Sequence, residues 1–115
     1  MTQTVYQSPT ERVLAWMDED GSTLHIRFNN PARHNAVSMD MWQALVDIVS
    51  DYGRDEAIRV IVLKGAGDKA FVSGADISEF EEKRSSPETT RIYHETSHRA
   101  TVALSAVNKP TIAMV

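Results

Sequence analysis

The sequence of 115 residues predicts an α/β fold in which helices separate strands, in the order β-β-α-β-α-β. Three observations support this prediction: an alternating apolar pattern near the N-terminus, two stretches with apolar residues at helical spacing, and a continuous apolar run between those stretches. A chain of this length is expected to form one domain, since it can bury a modest core.

The first two strands are predicted on either side of a turn. Val13 to Met17 is a short apolar run, and Asp18 to Gly21 supplies three acids and a glycine, which is a turn signal. From Thr23 to Phe28 every second residue is apolar, so these segments together predict a β-hairpin. Residues 1–10 are polar and are expected to form a loose N-terminal segment before a domain that starts at residue 11.

The hairpin is followed by a predicted helix and a third strand. Ser38 is a good N-cap for a helix that begins at Met39, and Gly53 can end that helix. Residues 59–63 then contain a continuous apolar run, Val60 to Leu63, which is typical of a buried strand. Residues 64–69 are expected to be a glycine-containing loop.

A second helix is predicted over residues 87–106. Pro87 suits the first helical position, and Ile92 and Ala100 belong to the expected apolar side. Thr111 to Val115 begins another strand. Because the sequence stops inside this apolar run, we expect it to continue in the intact protein.

Composition excludes several classes of function. With 12 Lys and Arg against 16 Asp and Glu, the net charge is −4, which argues against a nucleic-acid partner. The chain has no cysteine, so disulfides, thiolate metal ligands and a cysteine nucleophile are excluded, and a cytoplasmic location is expected. No metal site is predicted. The N-terminus lacks the apolar segment of a signal peptide, and no apolar run suggests a membrane partner.

The glycine-rich segment Gly65 to Ala70 is the first candidate for a ligand site. It fits a loose G-x-G-x-x-A pattern after a strand. A dinucleotide site would require a helix to begin there, with its N-terminus directed at the pyrophosphate. Phe71 and Val72 follow instead, and the spacing of a Walker motif is absent. An ordinary turn between strand and loop is therefore the favoured interpretation.

The segment Phe71 to Ile77 is the second candidate. Its small residues, Ser73, Gly74 and Ala75, allow a ligand to approach the backbone closely. A backbone N–H in such a turn could donate to a carbonyl oxygen that becomes negative during a reaction. From these residues alone, a plain glycine turn remains the more frequent alternative.

The third candidate is the loop Asn30 to Ala36, between the hairpin and the first helix. Arg33 can pair with a phosphate group. His34 in such a position is more often solvated or structural than catalytic. Taken alone, this segment indicates a turn rather than a site.

Together these segments resemble the N-terminal signatures of the crotonase (enoyl-CoA hydratase/isomerase) superfamily. The first signature is a strand followed by N-x-P-x-x-x-N-A, here residues 29–36. The second is a strand, G-x-G and then A-F-x-x-G-A-D-[IL], here residues 65–67 and 70–77. A looser match, K-P-x-I-A, covers residues 109–113. The resemblance implies the N-terminal part of a crotonase-like spiral fold of repeated ββα units, covering residues 11–115.

The resemblance also implies a site. In this family the acyl-CoA is bent across the turn of the second signature, and two backbone N–H groups hold the thioester carbonyl. Ala75 matches the first of these donors, and Gly74 makes room for the ligand. Asp76 is expected to structure the loop rather than act as a base, and Asn35 to hold its loop through local hydrogen bonds. The residues that the resemblance assigns to CoA binding are Ala32, Arg33, His34, Ala36, Ser73, Gly74, Ala75, Asp76 and Ile77.

The activity that the resemblance implies is the hydration of 2-enoyl-CoA through a stabilised oxyanion, in a complete protein that is a trimer or hexamer. Coenzyme A is part of the substrate, so no separate cofactor is implied. The alternatives are another crotonase reaction (isomerisation, acyl-CoA hydrolysis or decarboxylation) and a non-catalytic α/β module. The second oxyanion donor and the hydratase carboxylates are expected beyond Val115, so the 115-residue chain alone is expected to be inactive.

Overall fold

The computed structural model describes residues 3–7, 11–67, 71–72 and 87–114. Within them five strands form one mixed sheet, in the spatial order β1-β2-β3-β4-β5. Two α-helices in the described part of the chain accompany the sheet, which confirms the predicted α/β class. The elements in chain order are β1 Gln3–Gln7, β2 Val13–Met17, β3 Thr23–Phe28, a 3-10 helix Pro31–Arg33, α1 Met39–Tyr52, β4 Val60–Gly65, α2 Pro87–Ala106 and β5 Thr111–Met114.

The predicted hairpin is confirmed. β2 and β3 pair antiparallel, with Val13 opposite Phe28 and Met17 opposite Leu24. The turn between them closes with a hydrogen bond of 2.9 Å from the Gly21 N–H to the Asp18 carbonyl. Gly21 has a φ of +72°, a conformation that favours glycine.

The expectation of a loose segment over residues 1–10 was wrong for its central part. Gln3–Gln7 is strand β1, which pairs antiparallel with β2 and has an irregularity between Thr4 and Tyr6. A strand at the edge of a sheet is held by backbone hydrogen bonds to one neighbour, so a polar sequence can form it. The polar composition of residues 1–10 was therefore not a sufficient reason to expect a loose segment.

The core lies between the sheet and the two helices. Leu24 and Ile26 of β3 are fully buried, as the alternating pattern predicted, and Ile61 of β4 lies beside them on the same face. The helix α1 covers this face, and α2 packs against α1. The buried residues that the helices contribute to the cluster are Met41, Ala44, Leu45, Ile48, Val49 and Ala100.

The opposite face of the sheet carries a separate aromatic and basic group. The Trp16 indole stacks on His25, with ring centroids 5.2 Å apart. The guanidinium of Arg27 lies 4.7 Å from the centre of the same indole ring. Trp16 and the core residues therefore lie on opposite sides of the sheet.

β4 is longer than predicted. It pairs parallel with β3 from Thr23 opposite Val60 to Phe28 opposite Gly65, so the ladder continues two residues past the apolar run. The backbone bonds to β3 carry the strand through Lys64 and Gly65, although neither residue is apolar. β5 then pairs parallel with β4 on its other side.

The helix boundaries agree with the sequence. α1 begins at Met39 after Ser38, whose hydroxyl donates to the Asp40 carboxylate. It ends at Tyr52, and the N–H of Gly53 donates to the Val49 carbonyl at 2.8 Å. α2 starts at the predicted proline and ends at Ala106. Among the residues that the structure describes, neither helix is long and apolar enough to cross a membrane.

Candidate functional site

The candidate site lies at one edge of the sheet. β3, β4 and β5 are parallel, so their carboxyl ends meet at the same edge, near Phe28, Gly65 and Met114. In open α/β sheets, ligands bind outside the carboxyl ends of the strands. The first signature follows β3 directly, and the G-x-G of the second signature begins at the last residue of β4.

Two asparagines close the loop of the first signature. The Asn30 N–H donates to Asn35 Oδ1 at 2.9 Å, and the Asn35 N–H returns a 2.8 Å bond to the Asn30 carbonyl. The side-chain Nδ2 of Asn30 donates to the Ala36 carbonyl at 2.9 Å. Both asparagines are buried, so these bonds are shielded from water and fix the shape of the loop.

Asn35 also ties this loop to the second signature. Its Nδ2 donates to the Ala66 carbonyl at 2.9 Å, and the Ala66 N–H donates to the Phe28 carbonyl at 2.8 Å. His34 and Asn35 have φ values of +54° and +59°, which non-glycine residues rarely adopt. The predicted loop-holding role of Asn35 is confirmed, and one of its bonds reaches beyond its own loop.

The structure describes four of the predicted CoA-binding residues. Ala32, Arg33 and His34 are exposed on the first loop, around the short 3-10 helix. The Ala36 side chain is buried, and its carbonyl accepts the bond from Asn30. The remaining predicted residues lie outside the described part of the chain: Ser73, Gly74, Ala75, Asp76 and Ile77.

An apolar cavity of about 390 Å³ lies beside the two loops. Phe28 and Phe71 meet edge to face in its wall, with ring centroids 5.9 Å apart and planes at 86°. Phe71 and Val72 lead directly into the segment that carries the predicted oxyanion donor. The residues that line the cavity are Phe28, Val37, Trp42, Leu45, Leu63, Phe71, Val72, Thr101, Leu104 and Ser105.

Sequence reasoning missed Tyr93, which is buried in α2. Its hydroxyl accepts a hydrogen bond from Trp42 Nε1 at 2.7 Å and donates one to the Val37 carbonyl at 2.7 Å. The expected apolar side of α2 included Ile92, which is exposed, while the neighbouring Tyr93 is buried. The buried face of α2 carries Tyr93, Thr96 and Ala100. Their helical spacing of three and four residues is the signal that could have located this face.

No group of three or more His, Asp or Glu within the described ranges is placed to hold a metal ion. Hydrogen bonds from the Ser22 backbone N–H, and then from its hydroxyl, lower the pKa of Asp20. Asp20 belongs to the hairpin turn at the amino end of β3, opposite the candidate site.

Solved structures share this arrangement. The chain superposes on an enoyl-CoA hydratase/carnithine racemase from Magnetospirillum magneticum with a TM-score of 0.82 and 31% identity, covering 96% of this chain and 40% of that one. It superposes on an enoyl-CoA hydratase/isomerase family protein from Hyphomonas neptunium with a TM-score of 0.80 and 31% identity, covering 95% and 41%. The strands, helices and loops described above therefore form part of the crotonase fold.

Sequence relatives agree with the structural likeness. The chain is 31% identical over 105 residues to a crotonyl-CoA hydratase of Syntrophomonas wolfei, covering 91% of this chain and 39% of the relative. It is 37% identical over 100 residues to a hydroxycinnamoyl-CoA hydratase-lyase of Pseudomonas fluorescens, covering 84% and 36%. The chain thus spans less than half the length of these relatives. Residues 18–115 match the enoyl-CoA hydratase/isomerase family profile, and the chain belongs to that family, the crotonase superfamily.

Proposed function

We propose that the chain forms the acyl-CoA-binding half of an enoyl-CoA hydratase site. The observation that carries this proposal is the apolar cavity at the carboxyl edge of the sheet, beside both family signatures. The bond from Asn35 to the Ala66 carbonyl holds the first signature against the second. A thioester at this edge could therefore meet both loops while its acyl group enters the cavity.

The proposed chemistry is the addition of water to a 2-enoyl thioester. Water adds at the β-carbon, and negative charge then develops on the thioester oxygen. In the proposal the Ala75 backbone N–H donates to that oxygen, and Gly74 leaves space for its approach. Removing one donor of this kind from other enzymes costs about 3 kcal/mol of transition-state stabilisation. The second donor and the carboxylates that move protons are proposed to lie beyond Val115.

The exposed residues of the first loop are proposed to border the nucleotide part of CoA. Ala32, Arg33 and His34 lie together around the 3-10 helix, and a guanidinium there can bind a phosphate by paired N–H donors. Ala36 lies deeper, beside the proposed path of the pantetheine. Ser73, Asp76 and Ile77 are proposed to complete that path.

The volume of the cavity limits the size of the acyl group. Its volume of about 390 Å³ is near the lower end of the range for ligand pockets. A water molecule takes roughly 30 Å³ in the liquid, and a methylene group is similar in size, so an acyl chain of about thirteen carbons would fill the cavity. Its lining is apolar and partly aromatic, which suits a hydrocarbon chain or a ring.

Hydration can be separated from the other reactions of this family by its product. Isomerisation, thioester hydrolysis and decarboxylation would use the same half-site, because each also places negative charge on the thioester oxygen. We expect the complete enzyme to convert crotonyl-CoA to 3-hydroxybutanoyl-CoA, identified by mass spectrometry of the thioester. Free CoA, or an isomer of unchanged mass, as the main product would contradict hydration.

The oxyanion role of Ala75 can be tested by binding. We expect this chain to bind acetoacetyl-CoA more tightly than free CoA in calorimetric titrations, because the enolised thioester places charge opposite the N–H. Ala75→Pro removes that N–H and is expected to abolish the difference, while Ala75→Ser retains the donor and separates its loss from a change of shape. An undiminished difference in Ala75→Pro would show that this N–H does not hold the thioester.

A further inference from the structure

Tyr93 joins three parts of the molecule through one hydroxyl group. Its side chain is 5% exposed, in the second turn of α2. The Trp42 Nε1–H can only donate and the Val37 carbonyl can only accept, so the hydroxyl must accept from the first and donate to the second. Both bonds measure 2.7 Å, and the hydroxyl is satisfied in both roles.

Both partners of this hydroxyl belong to the wall of the apolar cavity. Trp42 presents its indole from the first turn of α1, and Val37 lies in the segment that leads into that helix. The orientation of the indole is therefore fixed by a hydrogen bond at its edge, as well as by packing against the hydrophobic core. Tyr93 does not itself line the cavity, so it acts on the cavity through these partners.

We propose that Tyr93 is a positioning residue that sets which acyl groups the cavity accepts, an inference that rests on the proposed function. Removing the hydroxyl leaves the indole N–H of the half-buried Trp42 without its partner, and this donor then turns toward another acceptor or toward water. The indole then no longer holds a fixed wall. The cavity loses the close fit on which discrimination between acyl groups depends.

The measurement is the ratio of affinities for octanoyl-CoA and butanoyl-CoA, obtained by calorimetric titration of the chain. A buried methylene group contributes about fourfold in affinity, so four of them give a ratio of roughly 250 in the wild type. We expect Tyr93→Phe to lower this ratio at least about fivefold, since each methylene is then less completely buried. The affinity for free CoA, which has no acyl group, is expected to stay the same.

A matched control lies on the same helix. Thr96 is buried, and its hydroxyl donates to the Ile92 carbonyl at 2.8 Å and accepts from the Arg99 guanidinium at 3.3 Å. Thr96→Val also removes one buried hydroxyl from α2, and it is expected to keep the wild-type ratio. If Thr96→Val lowers the affinity ratio as much as Tyr93→Phe does, the effect comes from the stability of α2, and the positioning role is overturned.

A second variant shows whether Tyr93 acts through the indole. Trp42→Phe removes the N–H donor, and we expect the double variant with Tyr93→Phe to show no larger loss of ratio than the single variants. Additive losses would overturn the proposal. If circular dichroism shows that Tyr93→Phe does not fold, the test rests on Trp42→Phe alone. A wild-type affinity ratio in Trp42→Phe would then also overturn the positioning role of Tyr93.

The outcomes distinguish this inference from the function on which it rests. If the wild type binds neither thioester more tightly than free CoA, the proposed acyl-CoA site is wrong, and the role of Tyr93 is wrong with it. If the wild type discriminates between the thioesters and Tyr93→Phe discriminates equally well, only the positioning role is wrong.

Discussion

Replacing Asn35 by alanine is expected to destabilise the protein more than its loop position suggests. The side chain is 1% exposed and makes bonds in two directions. It accepts from the Asn30 N–H and donates to the Ala66 carbonyl, both at 2.9 Å. Its backbone has a φ of +59°, a conformation that asparagine tolerates better than alanine does.

The expected magnitude follows from these contacts. Two hydrogen bonds contribute about 1 kcal/mol each, and leaving the buried Asn30 N–H without a partner adds roughly 1 kcal/mol. The total, about 3 kcal/mol, is a large part of the 5–15 kcal/mol that typically separates folded from unfolded states. For a domain of this size we expect the melting temperature to fall by about 10 °C.

The assay is unfolding by urea and by heat, followed by circular dichroism, with Asn29→Ala as the matched control. Asn29 is another asparagine at the start of the same loop, and its side-chain bond, from Nδ2 to the Glu11 carbonyl at 2.9 Å, is exposed to solvent. We expect that variant to lose less than about 1 kcal/mol. If Asn35→Ala were no less stable than Asn29→Ala, the cross-link from Asn35 to Ala66 would not hold the loops together.

Two further predictions concern stability and titration. Gly53→Ala is expected to cost about 1–3 kcal/mol in urea unfolding, because the added Cβ would lie 2.5 Å from the Val49 carbonyl oxygen; unchanged stability would contradict this. Ser22→Ala is expected to raise the pKa of Asp20, measured by carboxyl NMR, because it removes the hydroxyl bond. Because folding lowers the pKa of Asp20, the ionised carboxylate stabilises the folded state at pH values above its ordinary pKa of 3.8. This stabilisation is lost as the pH falls through the lowered pKa.

The sequence predicted those parts of the fold that depend on local patterns. Alternation from Thr23 to Phe28 predicted the buried face of β3, and Ser38 and Gly53 marked the ends of α1, because caps and periodicity act over a few residues. β1 and the end of β4 were missed since backbone pairing with a neighbouring strand determines them. Residues 1–10 carry no apolar alternation that would predict β1, which depends on its pairing with β2.

The same distinction applies to the candidate site. Asn35 was predicted to hold its loop, because asparagine in a turn bonds to nearby backbone groups. Its bond to the Ala66 carbonyl spans 31 residues and was not predictable from local sequence. The bonds of Tyr93 span 51 and 56 residues, and a tyrosine on a helix face carries no sign of which partners it will meet.

The long-range bonds explain how a short chain can position a site before any ligand arrives. Asn35 fixes one side of the loop between β3 and α1 to the turn after β4, while Tyr93 fixes Val37, two residues later, to α2. Apolar packing alone permits small rotations, whereas hydrogen bonds to buried partners specify direction. Two such anchors on one short segment hold it against the cavity wall formed by Trp42. The loop geometry therefore depends on these bonds. If the proposed acyl-CoA site is right, loosening either bond should widen the range of acyl groups bound before it abolishes binding.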